Sequence, residues 1–315
     1  GDLGRASIDR MFSGGVFPQG GWLVLQIVFA PLLSVAILAA ILHACWPGRG
    51  WMERILFLSL LAPLATVAIY RNAFPYHFAF ILPPAAVAIA PVVGWLRHRY
   101  GVVAVAFLPL AGALLLSFGQ DRDVLSRQRA IQTGIQTIFP VPVVYIDNSG
   151  MAGNFPRAVN HFASGWALDN YSRSGEPIFS DALEAEPVPM LLANNVVLRG
   201  IFYDTNFDSD LHPADDRILR ENYIPHWGRV FVAGKAIRPG EDELAVHVRV
   251  PGIYTVEGGT VTIDGHRHAV GNLVRLSRGK HVIGGGRTSA AVLRWGDHLE
   301  RPAFAWPEGL MYTAY

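Results

Sequence analysis

The sequence is short of cysteine and short of charge. One of its 315 residues is cysteine, Cys45, which excludes an intrachain disulfide and any cysteine-rich zinc or iron–sulfur centre. Asp, Glu, Lys and Arg make up 16%, against about 25% in an ordinary soluble domain. That deficit argues against disorder and against a purely soluble enzyme. Net charge is +1, so the strongly basic face that nucleic acid requires is missing. No glycine-rich phosphate loop follows a predicted strand, and no nucleophile-elbow pattern is present.

What replaces the charge is apolar residue, at 51%, with a mean hydropathy of +0.28. The imbalance is local. Residues 21–120 hold six charged side chains, Arg49, Glu53, Arg54, Arg71, Arg97 and Arg99, while 41 of the 51 charges follow Gln120. A domain boundary is therefore expected near 120. Residues 21–46 contain no charge at all, enough length for the roughly 20 residues that cross about 30 Å of hydrocarbon. Residues 55–70, 74–96 and 101–119 are further candidate spans, with Pro63 interrupting the first of these three. A transmembrane helical bundle of about four spans over residues 1–120 is the expectation.

Short loops orient such a bundle. GRGWMER at 48–54 and RHRY at 97–100 are the basic ones, separated by two spans and so on one side, which the positive-inside rule makes cytoplasmic. The loop at 70–77 and everything after 119 then face outward. In a bacterium this means a multi-pass protein of the inner membrane with a periplasmic C-terminal half.

Within that half, residues 121–225 read as an extracytoplasmic α/β segment. The run VPVVYID at 141–147 and VPMLLAN at 188–194 predict strands. Phe155, Val159, Phe162 and Trp166 have helical spacing behind Asn154 as N-cap, and residues 213–222 predict a helix with Asp215 and Asp216 near its positive end. From 226 to 315, seven short alternating runs separated by Gly-rich breaks about ten residues apart predict an antiparallel β-sandwich.

Four constellations could carry chemistry. The first is Tyr70-Arg71-Asn72-Ala73-Phe74-Pro75-Tyr76-His77. Arg71 is the only Lys, Arg, Asp or Glu between Arg54 and Arg97, and its forked guanidinium suits phosphate oxygens, with Tyr70, Asn72, Tyr76 and His77 able to add hydrogen bonds. The other reading is an interfacial anchor of Arg and Tyr at the headgroup level. The second is Asp204, Asn206, Asp208, Asp210 and Asp215, spaced like the oxygen ligands of a calcium loop, although Ser209 replaces the usual glycine; a solvated acidic turn is the alternative. The third is His226-Trp227, either a sugar-stacking platform or a buried aromatic junction. The fourth is His266 and His268, one residue apart, with His247 or His281 as potential fellow metal ligands, or else solvated polar residues.

The segment YRNAFPYH at 70–77 leading into FILPPAA resembles the late membrane helices of GT-C type glycosyltransferases. Within these it is most similar to the protein mannosyltransferase and aminoarabinose transferase-like families, and the resemblance covers about residues 20–120. The β-rich tail, with IPHWGRVFVAGKAI at 224–237, is similar to domains appended to some bacterial members. The resemblance implies a membrane glycosyltransferase that moves a sugar from a polyprenyl-phosphate donor to a lipid, glycan or protein acceptor at the periplasmic face. It implies that Arg71 and His77 hold the carrier phosphate. It further implies that this chain is the C-terminal part, with the catalytic acid in an N-terminal remainder of the same protein or on another chain, so no catalytic acid is assigned here. The competing expectation is a non-catalytic membrane-anchored protein whose β domain binds glycan or a partner.

Overall fold

The structure is a computed structural model that describes residues 15–309 apart from 72, 74, 120, 148–149, 160–164, 195, 204–210, 240–243 and 286–288. The chain divides between Arg122 and Asp123 into two compact units.

The first unit is helical. The charge-free run at 21–46, expected as one span, forms two helices, α1 (Gly20–Phe29) and α2 (Pro31–Ala44). Pro31 is the cause: it has no amide hydrogen for the preceding turn, and its ring pushes Ala30 out of the helical region, to φ −127°, ψ 55°. Helix α3 (Trp51–Leu61) carries Glu53 in its first turn and continues as a 3₁₀ helix, Ala62–Ala68. The change of winding begins one residue before Pro63, which cannot complete an α-type bond. Helix α4 (Pro75–Tyr100) then runs 26 residues, about 39 Å, straight through Pro83, Pro84 and Pro91, and ends on Arg97, His98 and Arg99, where the negative end of its dipole favours cations. Gly101, at φ +84°, makes the reversal into α5 (Val102–Gly119), a left-handed conformation that a side chain would oppose.

Two stretches, Trp51–Ala68 and Tyr76–Tyr100, are long and apolar enough to cross a membrane, and only 11% and 22% of an 18-residue window in each is buried. What the helices bury against one another is small: Ala40, Ala85 and Ala88 are fully enclosed, beside Leu61 and Ile89. What they expose is large, as with Phe80 at 75% and Trp95 at 62%. Water would reward the reverse. Close approach through alanines with bulky apolar groups outward is how helices pack in lipid.

The second unit opens with α6 (Val124–Ile138), whose buried stripe is Ile131, Gly134, Ile135 and Ile138. Strand β1 (Tyr145–Ile146) lies parallel to β2 (Met190–Leu192), and their crossover carries α7 (Gly165–Ser174) and α8 (Phe179–Ala185). After α9 (Val196–Tyr203) and α10 (Pro213–Asn222) come β3 (Tyr223–Trp227) and β4 (Val230–Ile237). The remaining strands are β5 (Leu244–Val248), β6 (Gly252–Glu257), β7 (Val261–Ile263), β8 (His266–His268), β9 (Leu273–Leu276), β10 (Gly279–Gly285) and β11 (Ala291–Trp295). One sheet has the order β1-β2-β4-β11-β6-β9, with β3 also on β4; the other has the order β5-β10-β7-β8. Among the described residues all pairings of these strands except β1–β2 are antiparallel. A shared hydrophobic cluster takes Ile237, Val256 and Leu293 from the first sheet and Val248, Ile263 and Ile283 from the second.

All seven alternating runs expected after 226 are strands, and β3 and β8 join them unforeseen. The division expected at 225/226 is not a break in the fold: β3 straddles it, and β2 pairs with β4 across it. The helix expected from Phe155 is absent over 155–159. Tyr145 instead accepts Ala158 N–H and donates to Pro156 O, so this segment spends its backbone groups on the edge of β1. Phe162 lies outside the described residues.

Candidate functional site

The turn between the two long apolar stretches gathers most of the sequence-derived site. Phe17 N–H donates to Ala68 O at 2.8 Å and Gln19 Nε2 donates to Arg71 O at 2.9 Å, so the segment before α1 clasps the turn. Tyr70 N–H returns to Thr66 O, and Ala73 N–H to Tyr70 O. Val67, Ala73 and Ile81 form the buried floor, with Leu23, Leu64 and Phe78 against it. On this base the Tyr70 and His77 rings lie 4.9 Å apart at a 42° tilt. His77 Nε2 is 3.0 Å from Thr66 Oγ1, which itself donates to Pro63 O at 2.6 Å.

Arg71 sits in that turn, partly exposed. Tyr76, in the first turn of α4, is half exposed, and Asn72 lies outside the described residues. The structure thus brings Tyr70 and His77 together, with Arg71 in the same turn. The sequence reading missed Thr66 and Gln19. Pro63, three residues before Thr66, was the available signal for a tight 3₁₀ turn that would aim a hydroxyl back along the chain.

The opposite end of the α3–α4 hairpin is basic. Arg49 contacts both Glu53 and His43 and stacks over Phe57, 5.0 Å from its centroid, while Arg54 donates to Trp46 O. Arg97 and Arg99 end α4 at the same level, since Phe57 packs in one cluster with Val92. Arg71 is therefore separated by the length of the hairpin from Arg49, Arg54, Arg97 and Arg99.

In the second unit the other candidates have structural occupations. Asp215 is fully buried. Its carboxylate accepts Tyr171 OH at 2.8 Å, Ile178 N–H at 2.9 Å and Phe179 N–H at 2.9 Å, which caps the start of α8 from another helix. Helix α10 is capped instead by His212, whose Nδ1 accepts Ala214 N–H. Burial, and then the bond to Asp215, push the Tyr171 phenol well above its ordinary range. Asp204, Asn206, Asp208 and Asp210 lie outside the described residues.

His226 and Trp227 offer no sugar-stacking face. Both are 8% exposed. The Trp227 indole donates to Phe304 O at 2.9 Å, packs edge-on to Phe304 and Trp306, and fills the space that a side chain at Gly134 would need. His226 Nε2 donates to Glu300 O at 3.0 Å, which leaves Nδ1 bare toward Arg294 Nη1 at 3.3 Å. Arg294 in turn holds Glu257 with its Nε and donates to Pro225 O. Burial, with Arg294 and Arg301 adding to it, lowers the His226 pKa.

That shift has a pH consequence. A histidine held neutral in the fold stabilises it above its unfolded pKa of about 6.5, and the contribution is lost as pH falls below that value. Amides of β3 and β11 are expected to lose hydrogen-exchange protection between pH 6.5 and 5, and to lose less of it in His226→Gln. Equal losses in the two proteins would contradict the assignment.

Two histidines of the second sheet, His266 and His281, are also engaged. His281 Nδ1 lies 2.7 Å from Asp264 Oδ2, its Nε2 lies 3.0 Å from Ser277 O, and His266 Nδ1 bonds to Asp264 O. Ser277 Oγ stands 3.4 Å from His281 Nε2, an arrangement with the outline of a catalytic triad. Both ring nitrogens face acceptors, however, so the ring acts as a donor clip, and the hydrogen bond that it donates to Asp264 raises the His281 pKa accordingly. Among the described residues no group of three His, Cys, Asp or Glu side chains could hold a metal ion.

Asp147, just past the end of β1, is 2% exposed and accepts Met151 N–H at 2.8 Å, with Asn194 Nδ2 at 3.4 Å. Burial raises its pKa. Comparison with protein-family models, curated proteins and solved structures finds no match to this chain.

Proposed function

We propose that this chain is the C-terminal part of a membrane glycosyltransferase, and that the turn at 70–77 holds the phosphate of a polyprenyl-phosphate-linked sugar. The observation that carries this reading is the position of Arg71. Arg71 lies in a turn between two long apolar stretches, at the end of the hairpin away from Arg49, Arg54, Arg97 and Arg99. Lipid carries an anionic headgroup to that depth and no further, and a planar fork of donors fits phosphate oxygens. The resemblance of 70–86 to GT-C enzymes adds to this.

In the full reading, α1 with α2, α3 with its 3₁₀ extension, α4 and α5 make about four passes of a bacterial inner membrane. The 3₁₀ extension lengthens α3 to about 30 Å, the hydrocarbon thickness. The basic end is cytoplasmic by the positive-inside rule, which puts Arg71 and the second unit on the periplasmic side. The two sheets around their common cluster form a β-sandwich, and the acceptor is a lipid, a glycan or a protein. The catalytic acid lies outside this chain.

The test is transfer. Full-length protein in liposomes, given a labelled polyprenyl-phosphate hexose and membrane glycolipid acceptor, is expected to release polyprenyl phosphate and label the acceptor. Failure to consume donors of several sugar types would favour a non-catalytic anchored module.

A further inference from the structure

Thr66 and His77 face each other across the turn, and their hydrogen bonds can be counted. A threonine hydroxyl has one hydrogen to give. Thr66 Oγ1 stands 2.6 Å from Pro63 O, which can only accept, so the hydrogen is committed there. Toward His77 Nε2, at 3.0 Å, the oxygen has only lone pairs left, so Nε2 must carry a hydrogen. A neutral imidazole has a single N–H. Nδ1 is then bare, and among the described residues it has no hydrogen-bond partner.

We infer that Thr66 is a positioning residue that fixes neutral His77 as its Nε2–H tautomer, so that Nδ1 enters the site as an acceptor and meets a sugar hydroxyl rather than the phosphate. A bare ring nitrogen repels a phosphate oxygen and attracts a hydroxyl hydrogen. A carrier-linked sugar brings both groups to the turn, and the two side chains divide them: Arg71 takes the anion and His77 takes a hydroxyl. Tyr70, whose ring leans on His77, limits the rotation that would exchange the two nitrogens. The assignment of the hydroxyl rests on the donor-site reading above, whereas the tautomer rests on the two bonds of Thr66 alone.

The experiment is nitrogen NMR on histidine-labelled full-length protein in lipid nanodiscs at pH 8, with His77→Gln to assign the ring. Wild type is expected to show hydrogen on Nε2 and an unprotonated Nδ1. Thr66→Val, which keeps the shape and removes the hydroxyl, is expected to abolish that bias, and Thr66→Ser to restore it. Adding a polyprenyl-phosphate hexose is expected to shift the Nδ1 resonance, and adding bare polyprenyl phosphate to leave it in place. Hydrogen on Nδ1 in wild type, or equal spectra for Thr66→Val and Thr66→Ser, overturns the inference. So does an Nδ1 shift with the bare phosphate, or none with the hexose donor while native mass spectrometry shows that donor bound. Should neither lipid bind, the donor-site reading and the hydroxyl assignment fall together, and the tautomer stands on the spectra of the variants.

Discussion

Asp215→Ala is expected to cost the second unit about 3–5 kcal/mol, the range measured when one partner of a buried charged network is removed. Three donors converge on this fully buried carboxylate. Tyr171 OH would lose its acceptor while still receiving His212 N–H at 2.6 Å, and Ile178 and Phe179 would begin α8 with two orphaned amides. An unsatisfied buried donor costs about 1–3 kcal/mol. For a unit of this size the loss corresponds to roughly 10 °C in Tm, read by tryptophan fluorescence during thermal unfolding. Asp215→Asn, which keeps an acceptor oxygen, is expected to lose less. If Asp215→Ala melted like the wild type, with no calcium in the buffer, the capping account of this residue would be wrong.

The second large effect concerns Arg71. In the full-length enzyme Arg71→Ala is expected to lower transfer from a polyprenyl-phosphate sugar about 10²–10³-fold, as for loss of one preorganised donor to a developing charge. Arg71→Lys is expected to recover part of this, because an ammonium supplies the charge without the fork. Expression and membrane insertion are expected to be unchanged, since the turn's backbone is held by Gln19 and Phe17 and its floor by Val67, Ala73 and Ile81. Normal turnover of Arg71→Ala would remove the phosphate role.

The break in charge near 120 and the β-rich tail were legible because each rests on a pattern that survives in one dimension. Charge depletion marks a long apolar stretch whatever its helices do, and period-two alternation such as ELAVHVRV states which face of a strand is buried. What failed to show was tertiary in origin. Nothing in Phe155–Val159 announces that the edge of β1 will claim its backbone, so helical spacing of the apolar residues misled. The calcium-like spacing ending at Asp215 was similarly silent about α8, whose first amides come from 36 residues earlier in the chain. His226-Trp227 stayed open between a platform and a buried junction because sequence does not reveal that Gly134 leaves room for the indole. Arg71 and His77 could be picked out because so few polar residues stand near them. Thr66 could not, since its role depends on the 3₁₀ turn that Pro63 starts.

The most direct measurement of the central claim is the affinity of the chain, in lipid nanodiscs, for polyprenyl phosphate. A charge-assisted hydrogen bond contributes about 1.5–3 kcal/mol, so Arg71→Ala is expected to weaken binding about tenfold or more, while Arg97→Ala at the other end of the hairpin leaves it unchanged. Equal affinity in wild type and Arg71→Ala, or an equal loss in both variants, would contradict a phosphate site at this turn.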